Sequence, residues 1–153
     1  METIAHQVWI NATKGKVYDA VTTTDGLSKW WIVDCTAKAE IGFVNIFRMG
    51  GNVHDQMLII DLQSNEYVEW ECVNENGLWT GTRLSFEIIE RQGVSILNFK
   101  HSRWESQTEF FTICNFHWAR HLLMLKALCE TGNNQVIAEE ESKWGELYKK
   151  LNS

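Results

Sequence analysis

The sequence predicts an α+β domain, a curved antiparallel sheet of about seven strands packed along one long C-terminal helix, with two short helices after the first strand. Three observations predict it. Residues 3–10 alternate between two faces; residues 32–102 divide into six further strand-like segments separated by turn residues; and residues 110–130 switch to helical periodicity.

In the opening segment Ile4, His6, Val8 and Ile10 share one face and Ala5, Gln7 and Trp9 the other, which is the period of a strand. Asn11 to Thr13 supply capping side chains for the next element. Lys16 to Thr23, with Val17, Ala20 and Val21 at helical spacing, reads as a short amphipathic helix, which Asp25-Gly26 breaks ahead of a second short turn carrying Trp30 and Trp31. The strand segments are 32–39, 43–49, 53–62, 66–74, 78–90 and 93–102. Breaks fall at Glu40-Ile41-Gly42, Gly50-Gly51-Asn52, Ser64-Asn65, Asn74-Glu75-Asn76-Gly77 and Arg91-Gln92-Gly93. Connections this short imply antiparallel pairing. Val68, Trp70 and Cys72, then Leu84, Phe86 and Ile88, then Leu97, Phe99 and His101 occupy alternating positions that should face the core.

The helix from Phe110 to Glu130 places Cys114, Trp118, His121, Leu122, Leu125, Leu128 and Cys129 on one broad stripe, and Gly132 stops it. Residues 1–132 thus make the domain. Residues 133–153 form an extension in which Ile137, Trp144, Leu147, Tyr148 and Leu151 share a helical face and Glu139/Lys143 and Glu146/Lys150 stand at i,i+4.

Charge and composition exclude several classes of function. The net charge of −6 comes with no run of lysine or arginine, which argues against nucleic acid and anionic membrane as partners. No apolar stretch approaches the roughly 18 residues that cross a bilayer, and the first residues lack a secretory pattern, so a cytoplasmic protein is expected. Cys35, Cys72, Cys114 and Cys129 have no CxxC pairing and read as free, buried thiols. Eight tryptophans are the outlier, and such rings fill cores or line cavities for apolar molecules.

Few residues carry a chemical signal. His117 and His121 stand at i,i+4, the spacing at which two imidazoles share a metal ion, but HWARH lacks the glutamate of HExxH and no third ligand is evident. The expectation is no metal and no cofactor, with His121 at a cavity edge and His117 exposed. Glu69 and Glu71 flank Trp70 and so face away from it. Asp55 and Arg83 read as charges on a solvated outer face, with a buried, ligand-orienting role as the alternative, and Cys114 and Cys129 as packing thiols without an activating base.

Several stretches resemble one family. They are Lys16-Val17-Tyr18-Asp19-Ala20-Val21-Thr22-Thr23, Gly26-Leu27-Ser28-Lys29-Trp30-Trp31, Glu66-Tyr67-Val68-Glu69-Trp70, Lys100-His101-Ser102-Arg103-Trp104 and the Trp118 to Leu128 helix. Together they resemble the START-like (helix-grip, birch-pollen-allergen-like) superfamily, in particular the branch named for the activator of the ninety-kilodalton heat-shock-protein ATPase. Arg103 departs from the small residue usual before the loop tryptophan, and Thr13 from a common proline. The resemblance covers residues 3 to about 132 and implies a cavity between long helix and sheet that different relatives use for lipids, polyketides or hormones. A few relatives are cyclases or dehydratases, and the founding member stimulates a chaperone ATPase by binding it.

Two function classes stay open on these grounds. One is a non-enzymatic module holding a small hydrophobic ligand, lipid-like or aromatic, against Trp30, Trp31, Trp70, Phe86, Phe99, His101, Trp104, Trp118, His121, Leu122 and Leu125; the bland alternative is that these side chains simply fill the volume. The other is a chaperone-associated interaction domain. A cyclase-like enzyme would need His101 or His121 plus a second catalytic group that the sequence does not offer. A monomer or weak homodimer is expected.

Overall fold

The computed structural model describes residues 1–133 together with 143, 146, 147 and 149–151. Seven antiparallel strands form one sheet: β1 (Glu2–Ile10), β2 (Asp34–Thr36), β3 (Val44–Met49), β4 (Asn52–Gln63), β5 (Tyr67–Cys72), β6 (Arg83–Arg91) and β7 (Val94–Trp104). Their order is β1-β7-β6-β5-β4-β3-β2, a meander from β2 to β7 with β1 added at the far edge of β7. Two short helices, α1 (Lys14–Thr22) and α2 (Thr24–Trp30), come after β1, and α3 (Glu109–Thr131) closes the domain against β1 and both short helices.

Local chemistry accounts for the helix ends. Thr13 caps α1 by accepting from the Lys16 amide, Thr108 caps α3 by accepting from Phe111, and Gly132 ends α3 at φ 76°, a conformation glycine adopts without steric cost. The α1–α2 break lies at Thr23 rather than at Asp25-Gly26. Thr23 is extended, its amide bonds back to the Asp19 carbonyl, and its hydroxyl accepts from the Gly26 amide, so one residue closes α1 and opens α2. Gly26 has a different task from the expected one. A Cβ there would stand 2.5 Å from Ala20 Cα, so the glycine lets α2 cross close over α1.

The alternating faces of β5, β6 and β7 point inward as predicted, with Val68, Trp70, Leu84, Phe86, Leu97, Phe99 and His101 all buried. Two segments are shorter than the sequence suggests. The stretch 32–39 pairs only at Asp34–Thr36, and 78–90 begins pairing at Arg83, because residues 78–81 turn instead of extending. Three bulges bend the long strands, one each in β3/β4, β4/β5 and β1/β7. Leu147 and Leu151 of the extension are exposed; Ile137, Trp144, Tyr148 and the Glu139/Lys143 pair fall wholly or partly outside the described residues.

Candidate functional site

Between α3, α2 and the inner sheet face lies one continuous group of rings. Trp31 is its centre, 4.4 Å from Phe47, 5.3 Å from Trp118, 6.0 Å from Trp70 and 6.2 Å from both Trp30 and Trp79 between ring centroids. Phe86 and Phe99 continue it at 5.2 Å from each other, with Phe99 4.5 Å from Trp118. Separations of this order are the packing distance of aromatic pairs, so the rings touch one another.

The two adjacent tryptophans do different things. Trp30, on the last turn of α2, is fully buried and donates its indole N–H to the Ala20 carbonyl at 2.7 Å, tying α2 to α1. Trp31 is the C-cap, one residue later, where the chain leaves the helix; its ring is only half-buried. Successive residues on a helix point about 100° apart, which is why the pair divides between core and boundary.

Trp104 reaches the interior by a backbone irregularity. His101 pairs with Ile4, and Trp104 with Glu2, so β7 carries one extra residue there, and Arg103 sits at φ 65°. Strict alternation would put Arg103 on the face of His101 and send Trp104 outward. The bulge instead buries both His101 and Trp104, 4.6 Å apart, and leaves Arg103 exposed.

His101 is fully buried in a chain of hydrogen bonds that determines its tautomer. Trp118 Nε1 donates to His101 Nδ1 at 3.0 Å, so the proton is on Nε2, which donates to Thr82 Oγ1 at 2.8 Å, and Thr82 in turn donates to the Trp79 carbonyl at 2.6 Å. Burial pushes the His101 pKa down to about 3. A neutral imidazole with both nitrogens occupied links α3 to the turn at 78–81 and offers no free acid or base. Burial likewise pushes the Cys114 and Cys129 thiols up to about 11; a nearby Trp79 N–H opposes the shift at Cys114, and Lys16 opposes it at Cys129. All four cysteines are free and buried.

Trp79 is a ring that the sequence pattern does not single out. It sits in a turn assigned to a strand, yet its ring packs 5.8 Å from Trp118 and edge-on to His101 at 4.9 Å. The only available signal was the residue type, since a tryptophan in a polar loop has to pack somewhere. Asp55 is a second correction. It is 5% exposed, not on the outer face, and its carboxylate bonds His54 Nδ1 at 2.8 Å. Arg83 does lie outward, 3.4 Å from Glu71.

His117 is half-buried rather than exposed, and its carbonyl accepts from His121 Nδ1 at 2.9 Å. His121 is also half-buried, while Leu122 and Leu125 belong to the buried core. Among the described residues no group of three or more His, Cys, Asp or Glu is arranged to hold a metal ion. Two surface depressions, of about 660 and 350 Å³, lie away from Trp31: the first is lined by Lys14, Glu66, Tyr67 and Glu87, and the second reaches Phe99 alone of the ring group. No described helix is long and apolar enough to cross a membrane.

A short helix pair, a seven-stranded antiparallel sheet and a long closing helix are a combination that known proteins share. Residues 11–130 match the family described as activator of Hsp90 ATPase homolog 1-like protein. The chain belongs to that family. It is similar to the Aha1 dimer of Colwellia psychrerythraea, known from a solution structure, at 34% identity and a TM-score of 0.80, covering 87% of this chain and 99% of that one. It has the fold of a Bacillus halodurans protein at 20% identity and TM-score 0.71, covering 85% and 98% of the two chains. It shares that fold with a Mesorhizobium loti protein at 14% identity and TM-score 0.72, covering 83% and 96%. No curated protein sequence matches this one. Membership makes this a ligand-binding or Aha1-like domain of the helix-grip type.

Proposed function

We propose that the chain is a binding module that holds a small hydrophobic molecule between α3 and the inner face of the sheet, without catalysis, in the cytoplasm. The observation that carries this reading is Trp31: a half-buried ring at the centre of five aromatic neighbours, held by ring contacts at a helix end. A ring so placed can swing aside and let an apolar molecule take its position among Trp70, Trp118 and Phe47, with Leu122 and Leu125 behind. His101, neutral and doubly bonded, acts as a structural link here. Native mass spectrometry and tryptophan fluorescence of the full chain against a library of lipids and aromatic compounds test it. Saturable one-to-one complexes support it, and silence across the library refutes it.

A second reading rests on the relative at 34% identity, which is named Aha1 and described as a dimer. On that reading a surface, with residues 133–153 contributing, binds a chaperone or a second copy. Pull-down and light scattering with and without residues 133–153 decide it, because loss of the partner on truncation is its distinctive outcome.

A further inference from the structure

The sheet ends in two edge strands, β1 and β2, and they are built differently. β2 is three residues long and carries Asp34, which Arg48 holds at 3.3 Å; a short, charged edge resists an added strand. β1 is nine residues long, residues 3–13 contain no Asp, Glu, Lys or Arg, and the chain has no proline. Of the devices that usually blunt an edge, β1 has one bulge, at its start between Glu2 and Ile4.

The parity of the hydrogen-bond ladder shows which β1 groups it leaves unused. Gln92 at φ 50° and Gly93 at φ 82° join β6 to β7 in a two-residue turn, so Arg91 and Val94 form a hydrogen-bonded pair. Alternation then points the main-chain groups of Ser95, Leu97, Phe99 and His101 toward β1, where Ile10, Val8, His6 and Ile4 meet them. The amides and carbonyls of Ala5, Gln7 and Trp9 therefore face away from the sheet. The Trp9 carbonyl agrees, since it accepts from Lys126 Nζ at 2.6 Å, and it keeps a second lone pair. All three residues are exposed, and among the described residues no backbone group outside the β1/β7 ladder bonds them.

The outer face of the same strand carries a ring and a hollow. Trp9 is 63% exposed, yet its side chain is held: its Nε1 donates to Gln7 Oε1 at 2.9 Å, Gln7 Nε2 donates to Asn98 Oδ1 at 2.9 Å, and Asn98 Nδ2 donates to Glu87 Oε1 at 3.1 Å. The depression of about 350 Å³ lies beside this ladder, with Ala5, Gln7, Asn98 and Lys100 among its lining. A large ring two residues after Gln7 and a small residue two before it are self-complementary about a two-fold axis through Gln7. Charge selects the same stretch. Copies that each carry −6 repel one another, and residues 3–13 are where they can meet without bringing strand carboxylates together.

We infer that β1 pairs antiparallel with β1 of a second copy, Gln7 opposite Gln7, with the Trp9 ring of each copy seated over Ala5 of the other, beside Lys100. This rests on the second-copy form of the second reading above and names the surface for it. In that register Ala5 lies opposite the partner's Trp9, so the outward amides and carbonyls of Ala5, Gln7 and Trp9 are all bonded and the two sheets become one. A seam of one strand pair is small, so the dimer is weak, dissociating at roughly 10 µM.

Sedimentation velocity of the full chain from about 1 µM to 500 µM, with amide hydrogen exchange at both ends of that range, tests it. The mass should rise from monomer to dimer, and the Ala5, Gln7 and Trp9 amides should gain protection with concentration while those of His6 and Val8, already in the ladder, do not. Trp9→Lys places a charge on the seam at an exposed position and should weaken the dimer roughly tenfold or more. Gln7→Pro removes an edge donor that β7 does not use and should abolish the dimer; Trp9→Lys stands as the readout if the proline variant does not fold. A dimer indifferent to Trp9→Lys, or one without protection at Ala5 and Gln7, overturns this surface while leaving the second reading in place. A monomer at every concentration overturns both this inference and the second-copy form of that reading. Protection of the edge amides only when a chaperone is added assigns the edge to another protein and overturns the second copy as its occupant.

Discussion

His101 is the place where a single proton has a large, calculable effect on the fold. Its folded pKa is about 3, against 6.5 for an ordinary histidine. A folded-state pKa below the unfolded one means that the unfolded chain takes up the proton first. Its cost is therefore absent above pH 6.5, and stability falls as pH drops from there toward 3. Within that window the slope approaches about 1.4 kcal/mol per pH unit, so one buried imidazole removes roughly 2.5 kcal/mol between about pH 7.5 and 4.5. Carboxylates also titrate in this range, so the measurement is a difference. Urea unfolding of the wild type and of His101→Gln, at about pH 7.5, 6, 5 and 4.5, isolates the imidazole. Glutamine can still accept from Trp118 and donate to Thr82, yet carries no proton equilibrium. The gap between the two proteins should close, or change sign, by about 2.5 kcal/mol as pH falls. Parallel stability curves would refute the buried, neutral, doubly bonded histidine.

Other substitutions separate the remaining contributions. Arg103→Gly should stabilise the protein by about 1 kcal/mol in thermal unfolding, because the left-handed φ at the β7 bulge disfavours a side chain with a Cβ. Gly26→Ala should cost about 1–3 kcal/mol, since its methyl would meet the α1 backbone, and an unchanged melting temperature would show that α1 and α2 separate easily. Trp30→Ala, which removes a fully buried ring and its bond to Ala20, should destabilise by about 3–5 kcal/mol and clearly more than Trp31→Ala, whose main effect should be on ligand binding. Cys114 and Cys129 should stay unreactive toward a thiol reagent at about pH 8 in the folded protein and react fully in urea, as their pKa near 11 requires; rapid native labelling of either contradicts their burial.

The elements with strong periodicity were legible in the linear chain. Val68-Trp70-Cys72, Leu84-Phe86-Ile88 and Leu97-Phe99-His101 alternate because each strand has one face in the core, and Thr13 and Gly132 end helices by local hydrogen bonding and φ preference. Where a feature depended on a neighbour distant in sequence, the local pattern misled. Gly26 reads as a breaker, but its lack of a side chain answers to Ala20 across the α1–α2 crossing. Asp55 reads as an outward charge until the bulge and His54 are seen beside it. Trp79 sits in a turn and was invisible as part of the ring group, because only the closed sheet brings that turn under α3.

By itself, then, the sequence determined the order and type of the elements, the family, and which rings are candidates for the interior, since periods of about 2 and 3.6 residues and capping chemistry act over short stretches of chain. Tertiary structure alone decided that Trp30 anchors while Trp31 sits at the boundary, that a bulge at Arg103 turns Trp104 inward beside His101, and that Trp70 and Trp104 are left with protons to donate. Those outcomes depend on which backbone carbonyls and rings converge from strands and helices far apart in the chain. No local pattern encodes that convergence.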